Sequence, residues 1–196
     1  MKKLINDPVR VVDEVVEGLA LADDRLMLLP DETVVIRADH RELKDAGKVA
    51  IISGGGSGHE PAHAGYVGSG VLTAAIAGAV FTSPSVDAVL KTILTVGGPS
   101  GVLLIIKNYT GDKLNFGLAA EFARTHGIPV KIVVVGDDVA LGDGNVDVGR
   151  RGIAGTIFVH KIAGAAAEAG LSLSDVRAEA QAAADNLASM GIGLSP

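Results

Sequence analysis

Short apolar runs rich in β-branched residues alternate along this chain with segments of helical periodicity, and this alternation constrains the fold most. The clearest runs are KVAIIS, GVLLIIKN and VKIVVVGDD, at residues 48–53, 101–108 and 130–138. Continuous apolar runs of this length are typical of strands that are buried on both faces. Because helical segments separate them, the sequence predicts an α/β fold with a mostly parallel sheet flanked by helices on both faces.

The remaining elements follow from the same two periodicities. The run TVVIRA and the first half of LTAAIAGAVF, at 33–38 and 72–81, are predicted as further strands. Asp7, Ser83 and Ser172 are predicted as helix N-caps, and a proline follows each of the first two at the first helical position. The predicted helices cover residues 7–22, 83–96, 111–127, 155–170 and 172–191.

The chain is long enough for one domain with a sizeable core, since it has 196 residues, of which 48% are hydrophobic. We expect residues 1–190 to form that domain. The final GIGLSP, at 191–196, follows the last predicted helix and is expected to begin a linker to a second domain.

Charge and composition exclude several classes of protein. The net charge is −6 with acids and bases interspersed, so no basic stripe indicates a nucleic-acid partner. The longest apolar run, at 72–81, is too short to span a membrane, and the first residues lack the apolar stretch of a signal peptide. The chain has no cysteine, which favours a reducing compartment. We therefore expect a cytoplasmic protein without a membrane or nucleic-acid partner.

Three predicted strands end in polar, glycine-containing loops: SGGGSGHE, KNYTGD and GDDVALGDG. In a parallel sheet the carboxyl ends of the strands meet at one edge, where ligands bind. The first loop is expected to turn tightly and enter a helix near Pro61, so that its N–H groups face electron-rich oxygens. A strand-to-helix crossover without any ligand explains a glycine loop equally well. The glycine spacing matches neither a dinucleotide-binding loop nor a P-loop, which argues against an oxidoreductase.

The polar residues of these loops indicate a small, uncharged, hydroxyl-rich ligand. Gly56, Ser57, His59, Lys107 and Asp112 would together supply backbone donors, a hydroxyl, an imidazole, an ammonium and a carboxylate. Asp112 or His59 could take the proton of an alcohol as general base. Alternatively, Asp112 is a helix N-cap and Lys107 a solvated or ion-paired side chain.

The other histidines and the charged loops are expected to be structural. His63, His126 and His160 are assigned to packing, and His160 is expected to have its ring nitrogens hydrogen-bonded. The acidic DDVAL and basic GRRG segments could hold a loop by ion pairing. Since the histidines are scattered, no metal site is predicted.

Four stretches in this order resemble one known family, the substrate-binding K subunit or K domain of dihydroxyacetone (glycerone) kinases, in its N-terminal portion. They are ISGGGSGHEPAHAGYVG, IIKNYTGDKLNFGLAAE, VVVGDDVAL and GRRGIAGTIFVHKIAGAAAEAG. The resemblance implies the fold of that domain and phosphorylation of a terminal hydroxyl of dihydroxyacetone. It implies that His59 and Asp112 form the acid/base pair, with Asp112 the better candidate for the base. It also implies that the substrate-binding residues are Gly56, Ser57, Gly58, His59, Lys107 and Asp112.

The resemblance further implies what other chains or domains supply. No cofactor is expected on this chain, because in the family a helical L subunit or L domain carries ADP or ATP with magnesium. Some members receive phosphate from a phosphotransferase relay. The family's K subunit continues into a second domain whose histidine binds the substrate carbonyl covalently, and no residue here matches it. A homodimer is expected. Alternatives are a non-catalytic sugar-binding or regulatory module, and a kinase for a related ketose such as erythrulose.

Overall fold

A computed structural model describes residues 4–140 and 149–193, and its centre is a six-stranded sheet. The order across the sheet is β1-β2-β4-β3-β5-β6. The strands are β1 (Leu26–Leu28), β2 (Val34–Arg37), β3 (Ala50–Ser57), β4 (Ala74–Val80), β5 (Val102–Lys107) and β6 (Val130–Val135).

The sheet is parallel where its strands alternate with helices and antiparallel at one edge. β4, β3, β5 and β6 pair in parallel, whereas β1 pairs with β2 and β2 with β4 in antiparallel register. Every residue of β5 is buried, as its uninterrupted apolar run predicts. The predicted α/β fold with a mostly parallel sheet is confirmed. β4 extends along most of 72–81 rather than its first half alone.

The described residues form six α-helices, of which five pack on the two faces of the sheet. They are α1 (Val11–Ala22), α2 (His40–Asp45), α3 (Val86–Val96), α4 (Thr110–Thr125), α5 (Thr156–Glu168) and α6 (Leu173–Asp185). One apolar cluster joins the sheet to α3 and α4, and a second joins it to α1, α5 and α6. Helices on both faces therefore bury both sides of the strands, as predicted.

Two helices begin later than the sequence predicts. The carboxylate of Asp7 accepts a hydrogen bond from the amide of Val9, which closes a turn before α1 instead of capping the helix. α3 is capped by Ser85, whose Oγ accepts from the amide of Ala88 at 3.1 Å, and not by Ser83. The prediction that Ser172 caps α6 is confirmed, because its Oγ accepts from the amide of Asp175.

The glycine-rich segment is not a loop that enters a helix. β3 continues through Gly54, Gly55 and Gly56 to Ser57, and a series of turns then leads to a short 3₁₀ helix at Ala64–Tyr66. The predicted helix N-terminus near Pro61 is therefore wrong. In the part of the chain that the structure describes, no helix is long and apolar enough to cross a membrane.

Candidate functional site

The predicted site residues lie at the carboxyl edge of the parallel strands. Lys107 is the last residue of β5, His59 follows β3 by two residues, and Asp112 is the third residue of α4. Since β3 and β5 are parallel neighbours, their carboxyl ends bring these three side chains to the same edge. The prediction that the loops SGGGSGHE and KNYTGD meet at one edge is thus confirmed.

Lys107 and His59 contact each other directly. The ammonium group of Lys107 donates to Nε2 of His59 at 2.9 Å, and Nδ1 of His59 lies 2.9 Å from the carbonyl oxygen of Ala62. With Nε2 accepting, the hydrogen of the neutral ring is on Nδ1 and donates to Ala62. Burial lowers the pKa of Lys107, which Asp112 and Asp137 partly oppose. The lone pair of His59 is therefore engaged by Lys107, which favours an orienting role for His59 over that of a base.

Asp112 is buried, yet one of its oxygens is unsatisfied. Its Oδ1 has no hydrogen-bond partner within residues 4–140 and 149–193. Burial raises the pKa of Asp112, while Ser83, Lys107 and His59 oppose this shift. Asp112 is not the N-cap of α4, because that position belongs to Tyr109. A buried carboxylate without a structural hydrogen bond at Oδ1 is suited to accept a proton from a ligand.

Close packing and a hydrogen bond explain the residue types at Gly56, Ser57 and Gly58. A Cβ on Gly56 would lie 2.5 Å from the backbone nitrogen of Thr82, and one on Gly58 would lie 2.9 Å from the ring of Phe81. Gly58 also has φ +117°, a conformation that glycine favours. The Ser57 hydroxyl donates to the carbonyl oxygen of Gly78 at 2.8 Å. The amide of Gly58 donates to the Glu60 carboxylate at 3.1 and 3.2 Å, and the carbonyl oxygen of Ser57 accepts from the amide of Phe81. Packing and internal hydrogen bonds therefore explain the residue types at these positions.

Two further residues, Gly55 and His63, lie at the site, although the sequence did not indicate that they belong to it. A Cβ on Gly55 would lie 3.7 Å from Nε2 of His63 and 3.8 Å from Oδ2 of Asp112. His63 was expected to be structural, but its ring lies 5.7 Å from that of His59. Strand alternation could have indicated Gly55, since it lies on the same face of β3 as Ser53 and Ser57.

His160 differs from its predicted state. It is fully buried in α5 and its ring packs edge-on against His63, with 5.1 Å between centroids. Neither of its ring nitrogens has a hydrogen-bond partner among the described residues, so the prediction of a hydrogen-bonded ring is wrong. Burial and, to a smaller extent, Lys107 lower the pKa of His160 to about 3.

Asp137 anchors the loop that follows β6. It is fully buried, and its two oxygens accept hydrogen bonds from the amides of Ile153 and Gly155, both at 2.7 Å. A Cβ on Gly155 would lie 2.6 Å from Oδ2 of Asp137, so only glycine permits this approach. Two hydrogen bonds from backbone amides to Asp137 therefore anchor the described part of this loop. Residues 141–148 of the predicted loop lie outside the described residues.

A cavity of about 340 Å³ adjoins this edge of the sheet. His59, His63 and Lys107 line it on one side, and apolar residues around Ile153 and Ile157 line the other. Among the described residues, no group of three or more His, Cys, Asp or Glu side chains could hold a metal ion.

A profile of the Dak1 domain matches residues 17–196, which is most of the sequence. The chain belongs to the Dak1 domain family. Human triokinase/FMN cyclase is 50% identical and aligns with 99% of this chain, but the aligned region is 34% of that protein. The dihydroxyacetone-binding subunit DhaK of the PTS-dependent dihydroxyacetone kinase 1 of Listeria innocua is 48% identical over 100% of this chain and 59% of its own length.

Solved structures of Dak1 relatives have the same fold. Crystal structures of the dihydroxyacetone kinase of C. freundii, native and in complex with AMP-PNP and Mg²⁺, superpose with TM-scores of 0.87 at 52% and 51% identity. In both, 94% of this chain covers 34% of the kinase. The dihydroxyacetone kinase operon co-activator Dha-DhaQ superposes with a TM-score of 0.79 at 41% identity, covering 86% of this chain and 51% of its own. This Dak1 chain thus spans between a third and three fifths of these relatives.

Proposed function

We propose that this Dak1 chain is the dihydroxyacetone-binding component of a dihydroxyacetone kinase. The observation that carries the proposal is the meeting of Lys107, His59 and Asp112 at one sheet edge, with Oδ1 of Asp112 buried and without a partner among the described residues. Relatives of 48% and 52% identity carry the same activity in their names. A neutral triose supplies hydroxyl donors for such an acceptor without adding a charge to a buried site.

Asp112 acts as the general base in this proposal. It removes the proton from the terminal hydroxyl as the oxygen attacks the transferred phosphoryl group. Lys107 donates to His59 and holds the ring, and His59 orients the substrate. Gly56, Ser57 and Gly58 line the ketose. The protonated state of Asp112 is stabilised by burial, so the carboxyl can hold the proton after transfer.

The nucleotide is assigned to another component. An L subunit or L domain would carry ADP or ATP with magnesium, and the phosphate would come from ATP or from a phosphotransferase relay. The C. freundii kinase that was solved with AMP-PNP and Mg²⁺ is about three times as long as the aligned region, which is consistent with this assignment. We further assign residues 1–190 to the substrate-binding domain and expect a second K-subunit domain, a homodimer and a cytoplasmic location.

Binding of dihydroxyacetone to this chain is the direct test. Titration with the triose, followed by NMR of the labelled chain, should shift the signals of Lys107, His59 and Asp112 at millimolar ligand. The Asp112→Asn variant should lose most of this binding, while Lys113→Ala, at an exposed position of α4, serves as control. Unchanged spectra of the folded wild-type chain would refute the proposal. Glycerol is the comparison ligand, since it lacks the carbonyl group.

A regulatory binding module is the second candidate, and the likeness to Dha-DhaQ at a TM-score of 0.79 favours it. Such a module would bind the triose and transfer no phosphate. The two candidates differ in phosphoryl transfer, measured as dihydroxyacetone phosphate formed when an L component and a phosphate donor are added. Comparison of dihydroxyacetone with erythrulose in the same assay separates a triose kinase from one for a longer ketose.

A further inference from the structure

We propose that His63 is a further substrate-binding residue, whose Nε2 accepts a hydrogen bond from a hydroxyl of the bound ketose in the space beside Gly55. This inference rests on the proposed function and adds a ligand contact to it. Neither the loop SGGGSGHE nor the predicted acid/base pair includes His63, which is expected from the sequence to be structural.

The ring of His63 lies along β3 and its two nitrogens have different surroundings. Nδ1 lies 3.4 Å from Oγ of Ser53, and that hydroxyl donates to the carbonyl oxygen of Ile105 at 2.7 Å. Since the Ser53 hydrogen is used by Ile105, the serine oxygen accepts and Nδ1 of His63 carries the hydrogen. Nε2 is then left with a lone pair.

That lone pair is buried and has no partner. His63 is 5% exposed, and Nε2 has no hydrogen-bond partner within residues 4–140 and 149–193. Burial lowers the pKa of His63 well below its ordinary value, and the neighbouring His160, Lys107 and His59 lower it further. The ring therefore stays neutral and keeps an acceptor. Leaving a buried acceptor unsatisfied is unfavourable, so such groups usually have a ligand or functional reason.

Nε2 of His63 faces the carboxyl end of β3. Nδ1 is next to Ser53 and Nε2 next to Gly55, two residues closer to the carboxyl end of β3. Nε2 is therefore directed toward the edge where Lys107 and Asp112 lie. The missing side chain of Gly55 leaves a space bordered by Nε2 of His63 and Oδ2 of Asp112, at 3.7 and 3.8 Å from the Cβ position. A polyol hydroxyl in this space meets two acceptors.

Two substitutions at position 63 separate binding from structure. His63→Asn places an amide where Nδ1 was, so it keeps the contact with Ser53 and loses the acceptor. His63→Gln places an amide oxygen near the position of Nε2. We expect His63→Asn to weaken dihydroxyacetone binding about tenfold and His63→Gln about threefold or less. If both variants lose affinity equally, or if the loss of affinity parallels a loss of melting temperature, His63 is structural and the inference fails.

Gly55 gives an independent variant. A Cβ there makes only ordinary contacts, so Gly55→Ala should fold with wild-type stability and yet fill the space for the hydroxyl. We expect its affinity for dihydroxyacetone to fall at least tenfold. Gly117→Ala is the matched control, because a Cβ on Gly117 meets no atom within 4 Å. Unchanged affinity in Gly55→Ala would overturn the inference.

The ring nitrogens of His63 report the contact directly. In the labelled wild-type chain, NMR should show the tautomer with hydrogen on Nδ1, and dihydroxyacetone should shift the Nε2 resonance toward hydrogen-bonded values. If Lys107 and His59 respond and His63 Nε2 does not, the inference fails while the proposed function stands. If no site signal responds, the proposed function itself fails, and the inference with it.

Discussion

Two buried aspartates at the same sheet edge have opposite surroundings. Asp137, after β6, has each carboxylate oxygen bound to a backbone amide at 2.7 Å. Asp112, in the first turn of α4, has an Oδ1 without a partner among the described residues. Both lie near Lys107, which interacts electrostatically with each. A carboxylate whose oxygens are hydrogen-bonded stabilises a fold, whereas a buried oxygen without a partner costs stability. Replacing Asp137 should therefore destabilise the protein, and replacing Asp112 should not.

The largest expected effect is the loss of phosphoryl transfer on removing Asp112. Asp112→Asn should lower the rate of dihydroxyacetone phosphorylation about a thousandfold, because general base catalysis typically contributes 10²–10⁴. The rate is measured with the L component and phosphate donor present. A rate within tenfold of wild type would contradict the role of Asp112 as base.

The thermal stability of Asp112→Asn is the control for a structural role of this residue. Burial raises the pKa of Asp112 in the folded state, so its contribution to stability is most favourable below about pH 4 and declines as pH rises through the folded pKa. Asp112→Asn should therefore unfold at the same or a higher temperature than wild type at pH 7. The difference should disappear toward pH 3. A marked loss of stability at pH 7 would place Asp112 with Asp137 as a structural residue.

Replacing Asp137 should destabilise the fold, unlike replacing Asp112. Asp137→Ala leaves the amides of Ile153 and Gly155 without acceptors in a buried place and should lower the free energy of unfolding by about 3 kcal/mol. Urea denaturation measures this. The matched control is Asp138→Ala, whose carboxylate accepts from the exposed amide of Ala140 and should cost about 1 kcal/mol or less. Equal costs for both variants would contradict the anchoring role of Asp137.

The buried histidine behind the site should make the fold sensitive to acid. His160 has a folded pKa of about 3, whereas its ordinary value is 6.5, so the unfolded chain binds a proton first as pH falls. The stability contributed by neutral His160 is thus present above pH 6.5 and lost between pH 6.5 and 3. By pH 5 the loss is about 2 kcal/mol.

The contribution of His160 is separable from that of its neighbour His63, whose pKa is lowered in the same direction. His160→Leu should flatten the dependence of unfolding free energy on pH between 6.5 and 5. A variant with the wild-type pH dependence would show that His160 is not the group that titrates.

The smallest effect is expected at Ser57. Its hydroxyl donates to the carbonyl oxygen of Gly78, so Ser57→Ala should cost about 1 kcal/mol of stability and weaken dihydroxyacetone binding less than threefold. Chemical denaturation and the binding titration give the two values. A tenfold loss of binding with unchanged stability would mean that the hydroxyl itself binds the ketose.

The sequence by itself determined the α/β fold and the residues that meet at the site. Apolar runs such as 101–108 are specific for buried strands, and parallel pairing then carries Lys107, His59 and Asp112 to one edge. Residue chemistry and the resemblance to the dihydroxyacetone kinases indicated the site residues. Their role in substrate binding stays a prediction, which the variants above test. The predicted caps were wrong at α1, where Asp7 closes a turn before the helix, and at α3, where Ser85 replaces Ser83 as the cap.

Only the tertiary structure decided which polar groups are satisfied. Nothing local distinguishes Asp112 from Asp137, since both follow a buried strand; their partners come from elements distant in sequence, such as the amide of Gly155. The same holds for the glycines of β3. Gly56 approaches the backbone of Thr82, whereas Gly55 faces His63 and Asp112, and the face of each residue is set only when the strand enters the sheet. Long-range packing thus decides which groups stay open to a ligand.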